Sequence, residues 1–380
     1  MKILHTSDWH IGKVLKGQPR ADEQIAALLA VIEVAKAEQP DLIIVAGDLY
    51  DNAAPTPEAQ KIVIRALSAL RDAGAQVLVI AGNHDNGPAL DALRVWADAA
   101  GVTLRGRVTD KPADHLVTGV TKAGEAWRCI ALPFLSQRYA VRALDMFQLT
   151  QAEAHSTYAD HLSRLLAAIA EEGFTDPGAV NLVTAHLTVV GAAMGGGERE
   201  AHTILGYAVP STVFPPNTHY VALGHLHRAQ TLPGHCPVRY SGSPLAIDFG
   251  EEENPPSVTI VEASAETTAL VREVPLPRGV GLRTVRGSLE QLAEVEPGDD
   301  WLRVVVSERP RAGLREQVQE MLPRALEIRI DPAMLESQRP SRTARAERSP
   351  VALFADYLTD RGHDDPATQK LFEQLYQEVS

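Results

Sequence analysis

The stretch VIAGNHDNG, Val79 to Gly87, decides how this chain is read. It leaves an apolar, strand-like run (Val77, Leu78, Val79, Ile80), turns at Gly82, and then sets Asn83, His84 and Asp85 in a row. Three polar, ligand-capable side chains directly after a buried strand cost free energy unless something binds them. Two earlier segments share this form: KILHTSD reaches Asp8, and DLIIVAGD reaches Asp48. Between the strands, ADEQIAALLAVIEVAKAEQP carries Ile25, Leu28, Leu29 and Ile32 at helical spacing and stops at Pro40. PEAQKIVIRALSALRDAG repeats the pattern and ends in a glycine cap. Strands alternating with such helices predict βαβ units and a sheet covered on both faces.

Further on the pattern loosens. LVTGVTKAGEAWRCIALP predicts a hairpin turning at KAGE, and AEAHSTYADHLSRLLAAIAEEG a long amphipathic helix. AVNLVTAH and THYVALGH are short buried strands that each run into His, and PVRYSGSPLAI and SVTIVEASAETTALVREV add antiparallel character. This places one α/β sandwich over residues 1–277. PLPRGVG reads as a boundary, followed by a compact βαβαβ pattern over 282–333. In the polar linker 334–349, Arg339, Arg342, Arg345 and Arg348 recur every three residues, either as a plain tether or as phosphate contacts. Residues 350–380 close the chain with two amphipathic helices, whose N-caps read as Ser349–Pro350 and Asp365–Pro366. Val351, Phe354, Tyr357 and Leu358 share one face, and Leu371, Phe372, Leu375, Tyr376 and Val379 another. Two helices this short cannot bury both faces on each other, which predicts a partner groove.

A length of 380 residues suggests two or three domains, and 45% hydrophobic with 22% charged residues is an ordinary globular composition. No apolar run has the ~20 residues of a membrane span, and the N-terminal residues carry no export signal, so the expected compartment is the cytoplasm. Cys129 and Cys236 form neither a disulfide framework nor a zinc site. A net charge of −13 excludes a uniformly basic nucleic-acid binder but not a cationic centre.

Five motifs stand where strands end: SDWH (Asp8, His10), GDLYD (Asp48), GNHD (Asn83, His84), TAH (His186) and GHLH (His225, His227). A lone strand-end histidine is commonly structural; five motifs, each after a strand, are a constellation at the carboxyl ends where α/β sheets do chemistry. Alternation along an extended segment would aim Asp8 with His10, and His225 with His227, toward one centre. Two carboxylates, one amide oxygen and four imidazoles, with no thiolate, suit first-row divalent ions rather than Mg²⁺. Seven ligands are too many for one ion and fit two, with Asp48 as the bridge. Two divalent ions, two carboxylates and a bridging hydroxide leave a centre of about +1, matched to a singly charged phosphodiester. His84, pointing away from its neighbour Asn83, would face substrate and protonate the leaving alkoxide. Asp85 either orients that ring or caps the loop. The remaining histidines, His5 and His115 among them, read as structural.

This motif order resembles that of the calcineurin-like metallophosphoesterases, and more closely the SbcD family of Mre-type DNA-repair nucleases. MKILHTSDWHIG, AGDLYDNAAP, AGNHD, AHLTVVGA, YVALGHLHRAQ and YSGSPL carry the resemblance, which covers nearly the whole chain. It implies a helix-flanked calcineurin-like β-sandwich, a small α/β DNA-binding capping domain and a C-terminal helix pair. It also implies Asp8, His10, Asp48 and His227 around one Mn²⁺, Asp48, Asn83, His186 and His225 around a second, and His84 as the catalytic histidine. The family's activity is 3′→5′ exonuclease on duplex DNA and endonuclease on hairpins and single strands. Its partner is SbcC, a coiled-coil ATPase that would hold the terminal helices, in a heterotetramer containing a dimer of nuclease subunits. No GxxxxGK[ST] phosphate loop is present, so ATP control would arrive through SbcC. Two departures stand out. Some relatives carry His where Asp51 lies, and the loop VVGAAMGGGEREAHTIL differs; its GGG reads as plain flexibility.

The core motifs alone also fit a phosphomonoesterase or a cyclic-nucleotide phosphodiesterase. GDLYDNA has Asn52 and Ala53 where protein phosphatases carry GDxxDRG, which favours the diester. A metal-stabilised scaffold without activity at DNA ends is the non-enzymatic alternative, and a labelled hairpin incubated with Mn²⁺ separates the two.

Overall fold

The computed structural model describes residues 1–109, 111–135, 158–198, 208–296, 298–336 and, near the C-terminus, 351, 354, 355, 357, 358 and 365–379. Strands β1 (Lys2–Thr6), β2 (Leu42–Val45), β3 (Gln76–Ile80) and β4 (Val102–Arg105) run parallel, linked by helices. A second series follows: β5 (Leu116–Val120), β6 (Ala126–Leu132), β7 (Val180–His186), β8 (Tyr220–Gly224), β9 (Gln230–Leu232) and β10 (Val238–Tyr240). The hairpin β11 (Ser257–Glu262) and β12 (Leu270–Pro275) then returns to the first sheet, which has the order β12-β11-β1-β2-β3-β4. The second sheet has the order β9-β10-β8-β7-β6-β5, parallel at its centre and antiparallel at both edges.

Alternate residues of each strand enter different cores. Ile3, Ile44, Leu78 and Ile80 meet Trp127, Cys129, Leu182 and Tyr220 between the sheets. Leu4, Ile43, Val45, Val77 and Val79 pack on helices α1 (Ala21–Glu38) and α2 (Pro57–Asp72). Burial on both faces explains why β2 and β3 read as unbroken apolar runs. On α1 the expected face is only half right. Leu28 and Ile32 are buried with Ala27, Val31 and Ala35, whereas Ile25 and Leu29 are 38% and 54% exposed. The small Ala27 and Ala35 lie on the buried side, so the helix buries a stripe rotated from that of its largest side chains. Thr56 caps α2 through Ala59 N, with Pro57 in the first turn.

His5, expected to be structural, is fully buried on β1 and joins the sheets: Nδ1 lies 2.9 Å from Tyr220 Oη and Nε2 lies 3.1 Å from the Leu223 carbonyl, both on β8. Both cysteines are buried and free. Among the described residues no helix is long and apolar enough to cross a membrane.

The chain divides into two compact units, Met1–Thr284 with Gly298–Arg303, and Val285–Pro297 with Val304–Ser380. A separate three-stranded sheet has the order β13 (Leu282–Gly287), β14 (Trp301–Val306), β15 (Ala325–Ile330). The helix Leu289–Ala293 begins with a capping box between Ser288 and Gln291. Leu292, Val304, Val306, Leu314 and Val318 are buried. In the terminal helix Pro366–Val379, Asp365 Oδ1 accepts from Ala367 N at 3.0 Å, as its cap position requires. Phe354 stacks on Phe372 at 4.1 Å between ring centres, while Leu371 and Leu375 stay 56% and 51% exposed. The Ser349–Pro350 cap, the linker arginines and residues 199–207 lie outside the described residues.

Candidate metal centre

Every motif singled out in the sequence arrives at the same end of the two sheets. Asp8 and His10 follow β1, Asp48 follows β2, and Asn83 follows β3; His186 ends β7, and His225 and His227 follow β8. Asp8, His10, Asp48, His186, His225 and His227 are all at least 96% buried.

The strand alternation expected from the spacing is not what makes them converge. Asp8, His10, Asp48 and His225 have φ of 56°, 46°, 52° and 100°, a left-handed backbone that non-glycine residues rarely adopt. Four such residues among seven candidate ligands mark a site where conformational strain is accepted for geometry. The backbones are also pressed together. A Cβ on Gly82 would overlap the Asp48 carboxylate, and one on Gly224 would overlap the Ala46 carbonyl and lie 2.9 Å from His186 Nδ1. The glycines of the GN and GH motifs are therefore part of the geometry.

Two groups of ligand atoms form, each within 4.8 Å: Asp8, His10 and His227, and Asp48, His186 and His225. Asn83 Oδ1 lies 2.9 Å from His186 Nε2 and 2.8 Å from His225 Nδ1. Asp48 Oδ2 stands between the groups, 3.3 Å from His186 Nε2 and 3.7 Å from His10 Nε2. His10 Nε2 and His227 Nε2 face each other at 3.1 Å, and among the described residues His10 Nδ1 has no hydrogen-bond partner, the nearest carboxylate oxygen being Asp51 Oδ1 at 3.9 Å. Opposed imidazole nitrogens and buried carboxylates, with no thiolate, are the donor set of divalent first-row ions, and the residues fit that group. His84 also brings a nitrogen within 4.8 Å of His10 and Asp48.

Electrostatics follow from crowding charges in a buried cleft. Burial pushes the Asp8 carboxyl up to about 6, against the pull of His227 and His186. Burial acts the same way on Asp48, but His186, His10 and His84 outweigh it and hold that carboxyl well below its usual range. Burial opposes charge on His186 too, yet Asp48 raises its ring to about 9. His227 is likewise raised to about 10, burial being overcome by Glu251, Asp8 and Glu198. Burial holds His10 well below its usual value.

His84 sits in a bend rather than an extended segment. Its main-chain N donates to Asp48 Oδ1 at 2.8 Å, and its Nδ1 donates to the Asp51 carbonyl at 2.7 Å. That carbonyl holds the ring, a task the sequence offered to Asp85. Asp85 instead accepts main-chain N–H groups of Gly82, Leu49 and Tyr50 at 2.9, 3.2 and 3.0 Å, the loop-capping alternative. Burial, reinforced by the charge of Asp48, pushes its carboxyl up to about 7.

The Gly-rich loop corrects another expectation. Gly195, Gly196 and Gly197 pack against His227, Gly250 and Glu251, so close approach rather than flexibility accounts for them. Sequence reasoning passed over Glu198 and Glu251, which contact His227, and Phe134, whose ring centre lies 6.2 and 6.3 Å from those of His186 and His225. Glu251 was legible only as an acid near YSGSPL, with no spacing to pair it with a histidine.

Residues 1–229 match the calcineurin-like phosphoesterase family, and residues 278–362 a family described as type 5 capsule protein repressor C-terminal domain. The chain is 35% identical over 325 residues to the SbcD component of the SbcCD nuclease of Bacillus subtilis (strain 168), spanning 83% of this chain and 81% of that one. It is 36% identical to the corresponding protein of Rhodobacter capsulatus, spanning 82% of this chain and 78% of the relative. For that of Escherichia coli (strain K12) the identity is 30%, spanning 79% and 74%.

Proposed function

We infer function from one premise: the chain belongs to the calcineurin-like phosphoesterases and, within them, to the SbcD components of SbcCD nucleases. It is a metal-dependent nuclease subunit that hydrolyses DNA phosphodiesters and works in a complex with SbcC. The observation that carries the mechanism is the meeting of two ligand groups, Asp8–His10–His227 and Asp48–His186–His225, with Asp48 between them.

Asp8, His10, Asp48 and His227 would hold one Mn²⁺, and Asp48, Asn83, His186 and His225 a second. Ions there supply Lewis-acid stabilisation of phosphoryl oxygens and activation of water. His84 acts as the general acid. With Nδ1 donating to the Asp51 carbonyl, Nε2 is the atom that passes a proton to the leaving alkoxide. Asp85 keeps the loops bearing Asp48 and His84 in register through its three main-chain contacts.

Residues 1–277 form the nuclease domain and 282–333 a DNA-binding cap; 334–349 is the Arg-bearing linker, and 350–380 docks on SbcC. The exposed Leu371, Leu375 and Tyr376 support that docking. Exposed Leu93, Val95 and Trp96 support a second copy of the nuclease subunit, hence a heterotetramer. The activity is 3′→5′ exonuclease on duplex and endonuclease on hairpins and single strands, in the cytoplasm. Incubation with Mn²⁺ and end-labelled duplex and hairpin DNA, beside p-nitrophenyl phosphate and its bis-ester, tests this. Cleavage of DNA and the diester is expected; a preference for the monoester would reverse the reading. A chain ending at Ser337 should cleave the small diester yet fail to co-purify with SbcC.

A further inference from the structure

His227 is distinguished by what stands behind it. His186 is backed at Nδ1 by a main-chain carbonyl, that of Ala46, at 2.8 Å. His227 Nδ1 meets a carboxylate oxygen, Glu251 Oε1, at 2.6 Å, and Glu251 is 1% exposed. Its other oxygen, Oε2, accepts from Ile247 N at 2.8 Å, so the carboxylate is held at both ends. The main-chain N of His227 donates to a second acid, Glu198 Oε1, at 3.0 Å. Glu198 in turn accepts from Gly195 N at 2.5 Å and Gly196 N at 2.7 Å.

The two acids lie on segments built to touch. Gly196 and Gly250 stand back to back: a Cβ on either would lie 2.6 Å from the other's carbonyl oxygen. Asn254 Nδ2 fastens the pair by donating to the Gly195 carbonyl at 2.9 Å. A Cβ on Gly197 would overlap the Glu251 carboxylate and lie 3.0 Å from His227 Nδ1. GGGE (195–198) and FGEEEN (249–254) are thus two halves of one support, separated by about fifty residues of chain.

We propose that Glu251 is a positioning residue for the metal centre. It fixes the ring of His227 with hydrogen on Nδ1 and with Nε2 as the nitrogen turned toward Asp8 and His10, and it places a negative charge behind that imidazole. Glu198 and the glycine strap hold the arrangement. The inference rests on the metal-centre reading above. A carboxylate behind a ligating imidazole fixes its tautomer and raises its basicity, and losing such a partner costs about 10–100-fold in metal affinity.

The test uses the full chain and Mn²⁺, titrated by calorimetry. In Glu251→Gln one of two Mn²⁺ affinities should fall about 10–100-fold while the other stays put. On a His227→Ala background the same change should cost nothing further, because Glu251 acts through that ring. Nitrogen-15 spectra of the metal-free protein, with His227 assigned from its alanine variant, should show the protonated Nδ1 signal move in Glu251→Gln. Should that variant fail to fold, Gly197→Ala perturbs the same contact without altering charge and should also weaken one site. Wild-type affinities in a folded Glu251→Gln chain, or an undiminished loss on the His227→Ala background, would overturn the proposal. Absence of Mn²⁺ binding by the wild-type chain would overturn the metal reading itself, and this inference with it.

Discussion

The two sheets end in the same crevice but bring unlike chemistry to it. The first sends Asp8, His10, Asp48, Asn83 and His84 from the loops after β1, β2 and β3, including every oxygen donor among the candidate ligands. Three of those five have positive φ. The second sends only imidazoles, His186 from within β7 itself and His225 and His227 from the turn after β8. Neither set is a site alone. Acceptors on one sheet are satisfied by donors from the other, as where His225 N donates to Asp8 Oδ1 at 3.0 Å and His186 Nδ1 to the Ala46 carbonyl at 2.8 Å. Packing of the sheets is therefore part of the chemistry, and mutations can separate what each contributes.

The largest effect is expected from Asp48→Asn, which removes the carboxylate lying between the ligand groups. Turnover should fall on the order of 10³-fold or more, as for groups acting as a unit. At least one ion per chain should also disappear in elemental analysis. Two ions retained would show that Asp48 does not bridge.

Next in size is His84→Ala. A general acid contributes about 10²–10⁴-fold, so turnover should drop by that range with both ions and DNA affinity kept. Its neighbourhood to His10 and Asp48 makes the metal count decisive. A lost ion would turn His84 from acid into ligand.

Much of this was legible in the sequence, and the gaps have physical causes. The strands announced themselves because β2 and β3 are buried on both sides, and the motifs because polar residues directly after such strands need a reason. Side-chain direction was not legible. The i, i+2 rule presumes extended backbone, and Asp8 and His225 are in left-handed regions that only the folded crevice enforces. Asp85 shows the same limit: an acid beside a histidine is ambiguous until its main-chain partners are placed. On α1 the core face runs through Ala27, Leu28, Val31, Ile32 and Ala35, and the exposed Ile25 and Leu29 drew the pattern outward because size marks a core position more strongly than alanine does.

Gly224→Ala probes the seam between the sheets. The added methyl would press on the Ala46 carbonyl and His186 Nδ1, the donor–acceptor pair that ties β7 to the loop after β2. Overpacking at a rigid contact costs about 1–3 kcal/mol. Chemical denaturation should show that loss, accompanied by weaker Mn²⁺ binding. An unchanged midpoint would mean that the seam relaxes, and that sheet spacing does not govern the centre.

The smallest effect concerns His5, the buried link from β1 to Tyr220 and Leu223 on β8. Burial, helped by the charge of Arg239, lowers its pKa from 6.5 to about 3. The unfolded chain therefore binds a proton at this position between those values and the folded chain does not. By linkage the contribution is fully present above pH 6.5 and is lost as pH falls toward 3. At a pH of about 5 the loss is about 2 kcal/mol. Stability measured from about pH 7.5 to about 4.5 should then fall less steeply in His5→Gln than in the wild-type chain, by about one proton in the slope. The Gln variant will be less stable at neutral pH, since it loses contacts between the sheets, so the slope and not the height of the curve is diagnostic. Parallel curves would mean that His5 ionises in place, and that the sheets tolerate a charge at their junction.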